Sequence, residues 1–188
     1  MKNYLCTALV LSLMTAGTVS AQSWAPAGDR IRTAWAEEVT PENVHKEYPR
    51  PQMVRPEWKS LNGLWEYSIT PKNAAVPEKF DGQILVPFAV ESSLSGVGRM
   101  LTPEDALWYK TTFRVPSAWK GKRLMLNFEA VDWQADVIVN DIQVGRHTGG
   151  YTHFSFDITP YLKSGDNTLV VRVEDSTDND FQPRGKQV

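Results

Sequence analysis

From Leu61 onward the chain is a succession of short runs in which apolar and polar residues alternate, each closed by turn residues, and this period of two is its strongest constraint on the fold. Side chains of a strand point alternately to opposite faces, so each run offers one apolar face that another sheet must cover. Residues 63–70, GLWEYSIT, set Trp65, Tyr67 and Ile69 against Leu64, Glu66, Ser68 and Thr70, which predicts an aromatic face turned inward. Residues 83–86 form a second run stopped by Pro87, and residues 106–115 a third stopped by Pro116. Residues 122–129 alternate Leu124, Leu126 and Phe128 with Met125, Asn127 and Glu129, and residues 135–140, ADVIVN, are almost continuously apolar. Asn140-Asp141 suits the positive-φ positions of a two-residue hairpin, with residues 142–145 as the return strand. Residues 154–158 and 168–173 complete about eight strands. With no long amphipathic helix, the expectation is an all-β fold, most simply an antiparallel β-sandwich.

The remaining segments read as connectors. Asp157-Ile158-Thr159-Pro160-Tyr161-Leu162 places a capping side chain ahead of a proline, which suits one helical turn, and residues 163–167 supply a turn. Residues 22–56 show no lasting period and carry prolines at 26, 41, 49, 51 and 56, so they are expected to lie over the domain as a leader. Proline fixes φ and removes a donor, which predicts an extended Tyr48-Pro49-Arg50-Pro51 stretch and one helical turn starting at Thr40-Pro41. Trp24 and Trp35 are expected to pin this leader down, the alternative being exposed planes for stacking sugars.

Residues 1–21 hold one early cation, Lys2, an apolar run from Tyr4 to Met14, and the small-residue end Val19-Ser20-Ala21. This is the pattern of a signal peptide cleaved after Ala21, the run being short of the roughly 20 residues of a membrane helix. Cleavage removes Cys6, the only cysteine, so stability must come from packing and hydrogen bonding without disulfides. The expected location is periplasmic or secreted, with no membrane association after cleavage. A net charge of −2 without any Lys/Arg cluster argues against nucleic acid as a partner.

A glycosidase of the usual kind needs two carboxylates facing each other, about 5 to 5.5 Å apart if it retains configuration, and no persuasive pair stands out. Glu66 and Glu129 fall on the polar phase of alternating runs, and Glu37-Glu38 lies in the leader. The three histidines, 45, 147 and 153, have neither close helical spacing nor cysteine partners, so no metal is expected, and no phosphate loop or cofactor motif is present. Two places carry candidate chemistry. The first joins residues 130–134, with Asp132 and Trp133, to residues 147–153, HTGGYTH, with Tyr151. A sugar presents C–H faces to aromatic planes and hydroxyls to carboxylates and amides, so this mixture suits sugar recognition; alternatively Trp133 and Tyr151 only close the sandwich ends. The second is the oxygen-rich run 174–180, which suits hydroxyls or a hard cation but also an ordinary solvated turn.

Taken in order, RPEWKSLNGLWEYSI, ILVPFAVESSLSGV, LWYKTTFRVP and LMLNFEAVDWQADVIVNDIQVGRHTGGYTHFSFDITPYLKSGDNTLVVRVED resemble the N-terminal sugar-binding, jelly-roll-like domain of glycoside hydrolase family 2, the family of β-galactosidases and β-glucuronidases. The resemblance covers residues 55–175, and the leader resembles the openings of exported members. It implies a galactose-binding-domain-like sandwich that packs beside an immunoglobulin-like domain and a TIM barrel, with weak binding of a β-glycoside. It also implies that the segment after the last strand nears the active site, making Asp178, Asp180 and Arg184 pocket-lining candidates beside Asp132, Trp133 and Tyr151. In the family the acid/base Glu lies in an Asn-Glu pair on the barrel. No Asn-Glu dipeptide occurs here, and a barrel of about 200 residues does not fit in 188. The expectation is therefore a signal peptide at 1–21, a leader at 22–56, a sandwich at 57–176 and the start of an interrupted continuation at 177–188, inactive alone. Two other readings stay open, a free-standing lectin-like module and a module that docks to other domains.

Overall fold

The computed structural model describes residues 24–29 and 31–176, so the expected signal peptide and the candidates Asp178, Asp180 and Arg184 lie outside the described residues. Eight strands follow in order: β1 (Gly63–Pro71), β2 (Gly82–Val86), β3 (Asp105–Arg114), β4 (Met125–Phe128), β5 (Gln134–Val139), β6 (Ile142–Thr148), β7 (Phe154–Asp157) and β8 (Asp166–Glu174). One sheet runs β2-β1-β3-β8-β5-β6 with every neighbouring pair antiparallel, and the other pairs β4 with β7. The fold is an all-β antiparallel sandwich.

The alternation read from the sequence decides which face is covered. Trp65, Leu107, Phe113, Ala135, Val137, Val139, Leu169, Val171 and Val173 of the larger sheet meet Leu126 and Phe154 of the smaller one in a single core. Burying a side chain of this size stabilises the fold by about 1.5 to 3 kcal/mol relative to leaving it exposed. Phe128 and Phe154 stack at 4.7 Å between ring centroids, and His147 stacks on the other side of Phe154 at 4.1 Å. Gly145 lies over Phe156, where a Cβ would come within 2.1 Å of the ring, so the residue there has to be glycine.

The opposite face of the large sheet holds a row the alternation alone does not announce. Ser68, Trp108, Arg172, Asp136 and Arg146 stand directly opposite one another on β1, β3, β8, β5 and β6. Asp136 is buried and accepts from Gln143 Nε2 at 3.0 Å, from Arg146 Nη2 at 3.0 Å and from Arg172 Nη1 at 3.4 Å. Arg172 also donates to the Lys72 carbonyl at 2.6 Å, pairs with Glu174, and lies 5.4 Å from the Trp108 ring centroid. A buried charge is tolerated only when paired and hydrogen-bonded, and this row meets both conditions.

The turns follow their residues. Asn140 and Asp141 have φ of 50° and 67°, the two positive values of a tight hairpin between β5 and β6. Asp157 Oδ1 accepts from Thr159 N at 3.0 Å at the head of the short 3-10 turn Thr159–Tyr161. In the leader, Thr40 and Asn43 bond reciprocally, and Val44 N donates to Thr40 O to close the expected turn. Two expectations for the leader need correction. Pro51 opens a 3-10 turn, Pro51–Met53, instead of continuing an extended run, because proline suits the first helical position. Trp35 is 73% exposed and anchors nothing; its neighbour Ala36 is buried in its place, since the 3-10 turn Ala34–Glu38 presents only one small residue inward. Trp24 does act as an anchor, lying against Gly96 where a Cβ would meet its indole at 2.8 Å. Beside it the leader is bound by Ala27 N to Ser93 O at 2.8 Å and by Ser93 Oγ to Ala27 O at 2.7 Å.

Candidate functional site

Three segments distant in sequence meet at the backbone of Trp133. Its N–H donates to the Glu174 carbonyl at the end of β8 at 3.3 Å, and its carbonyl accepts from Gly149 N at 2.8 Å. The paired loops singled out in the sequence and Glu174, the first residue of the acidic run, therefore meet at one junction. The chain after Glu174 is tied there again by Lys72, whose Nζ donates to Ser176 Oγ at 3.2 Å.

The loop boundaries differ from the sequence reading. Residues 146–148 belong to β6, which runs three residues further than expected, so His147 is not a loop residue. Its ring stacks on Phe154, with Nε2 3.2 Å from Gly149 O. Alternation continues through Arg146 and Thr148 because both stay on the polar face, a pattern too polar to read as strand from sequence. Gly149, with φ of 115°, begins the true loop. The strand around Leu126 is shorter than expected, only Met125–Phe128.

Of the named candidates, Trp133 is 49% exposed and Tyr151 86% exposed. Asp132, itself exposed, lies with its carboxyl against Gly150, where a Cβ would come within 2.4 Å of Asp132 Oδ1. Partial burial holds its carboxyl above the usual range for an aspartate, and the charge of Asp175 pushes it the same way. The Asp132–Trp133 peptide is cis. This junction offers two exposed aromatic planes and carboxylates within a few residues of one another, a combination that accepts hydroxyl donors and packs on apolar ring faces.

Other features are set aside by geometry. Glu66 pairs with Lys110 at 3.2 Å and Glu129 with Arg50 at 3.3 Å, both at the surface. Among the described residues no group of three or more His, Cys, Asp or Glu is placed to hold a metal ion. A hollow of about 380 Å³ between the leader and the sheet, lined by Pro41, Lys46, Lys59, Asn62, Thr111 and Phe113 among others, contains none of the candidates. What the sequence reading missed is the Asp136–Arg172 pair behind the junction. The available signal was one aspartate in the otherwise apolar run ADVIVN and one arginine in LVVRV.

Residues 99–187 match the family model described as the glycosyl hydrolase 2 galactose-binding domain-like domain. A β-galactosidase of Thermoanaerobacter pseudethanolicus is 43% identical over 83 residues, 43% of this chain and 11% of that protein. A β-glucuronidase of Paenibacillus borealis is 31% identical over 146 residues, 74% of this chain and 24% of that protein. Among solved structures, the β-glucuronidase of Lactobacillus rhamnosus superposes with a TM-score of 0.50 at 32% identity, covering 61% of this chain and 20% of that one. The chain thus spans from 11% to 24% of the length of these relatives.

Proposed function

The sandwich belongs to the galactose-binding-like domains of glycoside hydrolase family 2, and from that premise we propose that it is the N-terminal scaffold of an exported β-glycosidase, contributing part of the sugar pocket. The observation that carries this is the convergence on Trp133 of the two candidate loops and the chain leaving β8. Asp178, Asp180 and Arg184 follow in sequence, and the family resemblance makes them the candidates for the rest of that pocket. Export is supported by Lys2, the apolar run 4–14 and the Val19-Ser20-Ala21 end. In this reading 57–176 is the sandwich, 22–56 its leader, and an immunoglobulin-like domain and a barrel are its partners. The barrel supplies the hydrolytic carboxylates, and the relatives' greater length supports such partners.

The chain by itself is expected to leave nitrophenyl β-galactoside and β-glucuronide uncleaved. Turnover abolished by a single carboxylate substitution would overturn this scaffold role. The exposure of Trp133 and Tyr151 favours a second reading, in which the domain binds glycans on its own. Calorimetry at millimolar sugar tests it, with Trp133→Ala expected to remove the heat while the fold is retained.

A further inference from the structure

We propose that Asn62 is a site of spontaneous covalent modification, and that its conversion to aspartate or isoaspartate unclasps the leader from the sandwich. Asn62 is the one asparagine of the chain followed by glycine. Glycine has no Cβ to shield its amide nitrogen or restrict its backbone, so that nitrogen reaches the preceding side chain more readily than the nitrogen of a bulkier residue. Gly63 opens β1 with φ of 137°, directly after the connector that carries Asn62. In the reaction the Gly63 nitrogen gives up its proton and attacks Asn62 Cγ. The new N–Cγ bond closes a succinimide ring, the Cγ–Nδ2 bond breaks, and Nδ2 leaves as ammonia with that proton. Water then opens the ring, at Cγ to give aspartate or at the backbone carbonyl to give isoaspartate.

The departing nitrogen is the one that holds the leader. Asn62 Nδ2 donates to the His45 carbonyl at 2.8 Å, next to Val44, which is buried and whose N–H closes the Thr40 turn at 3.1 Å. The carboxylate that replaces the amide accepts hydrogen bonds and donates none, so it faces the His45 carbonyl with nothing to offer it. Lys46 lines the same hollow as Asn62 and can meet the new charge. That exchanges a neutral clasp for an exposed ion pair, which salt screens. Asp81-Gly82, the one Asp-Gly pair, differs in that its side chain has no amide nitrogen to lose. Its Oδ2 also already accepts from Ser68 Oγ at 3.0 Å and Ile69 N at 2.9 Å.

The test incubates the folded full chain at mildly alkaline pH in ¹⁸O-labelled water and maps the peptides by mass spectrometry. Asn62 should be the fastest asparagine to convert, with label in both the aspartate and isoaspartate products, and Asn62→Gln should leave that position unconverted. Asn62→Asp, made directly, should speed hydrogen exchange of the Val44 amide at high salt by about fivefold, the effect of one neutral hydrogen bond. If Asn62→Asp does not fold, aged wild-type chain separated by charge gives the same comparison. Conversion at Asn62 no faster than at the other asparagines, or only after unfolding in urea, overturns the modification site. Conversion that leaves Val44 exchange unchanged overturns the unclasping.

Discussion

The side-chain amide of Asn140 donates to the side-chain oxygen of Asn167 at 2.8 Å, joining the β5–β6 hairpin to the start of β8. Asn140 also donates to Tyr161 O at 2.8 Å and accepts from Thr168 N at 3.0 Å. Asn167, fully buried, accepts from Lys163 N at 2.9 Å and donates to the carbonyls of Lys163 and Gly165. The asparagines in VND and GDNTL are thus two halves of one lock. Asn167→Ala leaves several of these groups without partners and should cost about 2 to 3 kcal/mol, read as a lower urea midpoint with the slope unchanged.

Gly145→Ala should destabilise by about 1 to 3 kcal/mol through overpacking, because the added methyl meets the Phe156 ring at 2.1 Å. Gly82→Ala meets the edge of Tyr67 at 3.3 Å and should cost clearly less. Thermal melts of the two variants check the ranking, and equal losses would contradict it.

Hydrogen bonds from the Thr159 side chain, the Arg123 guanidinium and the Thr159 backbone N–H hold the Asp157 carboxyl down to about 2 from the usual 3.8. A carboxyl with a depressed folded value stabilises the fold fully above its unfolded value and loses that contribution as pH falls through the folded one. Asp157→Asn should therefore melt below the wild type at pH 7, and the gap should close between about pH 4 and pH 2. A gap constant over that interval would contradict the assignment.

Asp132 carries the opposite sign. Its carboxyl is raised, so ionisation works against folding and stability falls as pH rises from the unfolded value through the folded one. Asp132→Asn should melt above the wild type at pH 7 and level with it at pH 3, the comparison being made by calorimetry.

Arg172→Met should cost about 3 kcal/mol, since it strips the buried Asp136 of one partner and leaves Glu174 short of another. The double variant with Asp136→Leu should recover part of that loss, and the coupling from a double-mutant cycle measures how strongly the pair acts as a unit.

Much of the fold was legible because period-two alternation survives wherever one face is apolar. Trp65, Tyr67 and Ile69 point as their spacing predicts, and all three join the core. Where the alternation became polar it failed. Arg146-His147-Thr148 carries no apolar stripe, yet His147 completes an aromatic stack that only the folded β7 supplies. Trp35 was misjudged because an indole's size says nothing of which side of a 3-10 turn it occupies. At the candidate site, Asp132, Trp133 and Tyr151 were visible as residue types. Their meeting with Glu174 through main-chain hydrogen bonds depends on strand order, with β5 between β6 and β8, which no local pattern encodes.

The row from Ser68 to Arg146 has a consequence for how the sheet assembles. Successive residues of a strand face opposite sides, so a slip of β8 by one position against β5 would drive Arg172 into the apolar interior and bring Val171 or Val173 opposite Asp136. One misplaced charge would cost more than a few apolar contacts could return. Only one alignment of these valine-rich strands leaves every charge satisfied, so Asp136 and Arg172 act as a key that tells otherwise interchangeable strands where to stop.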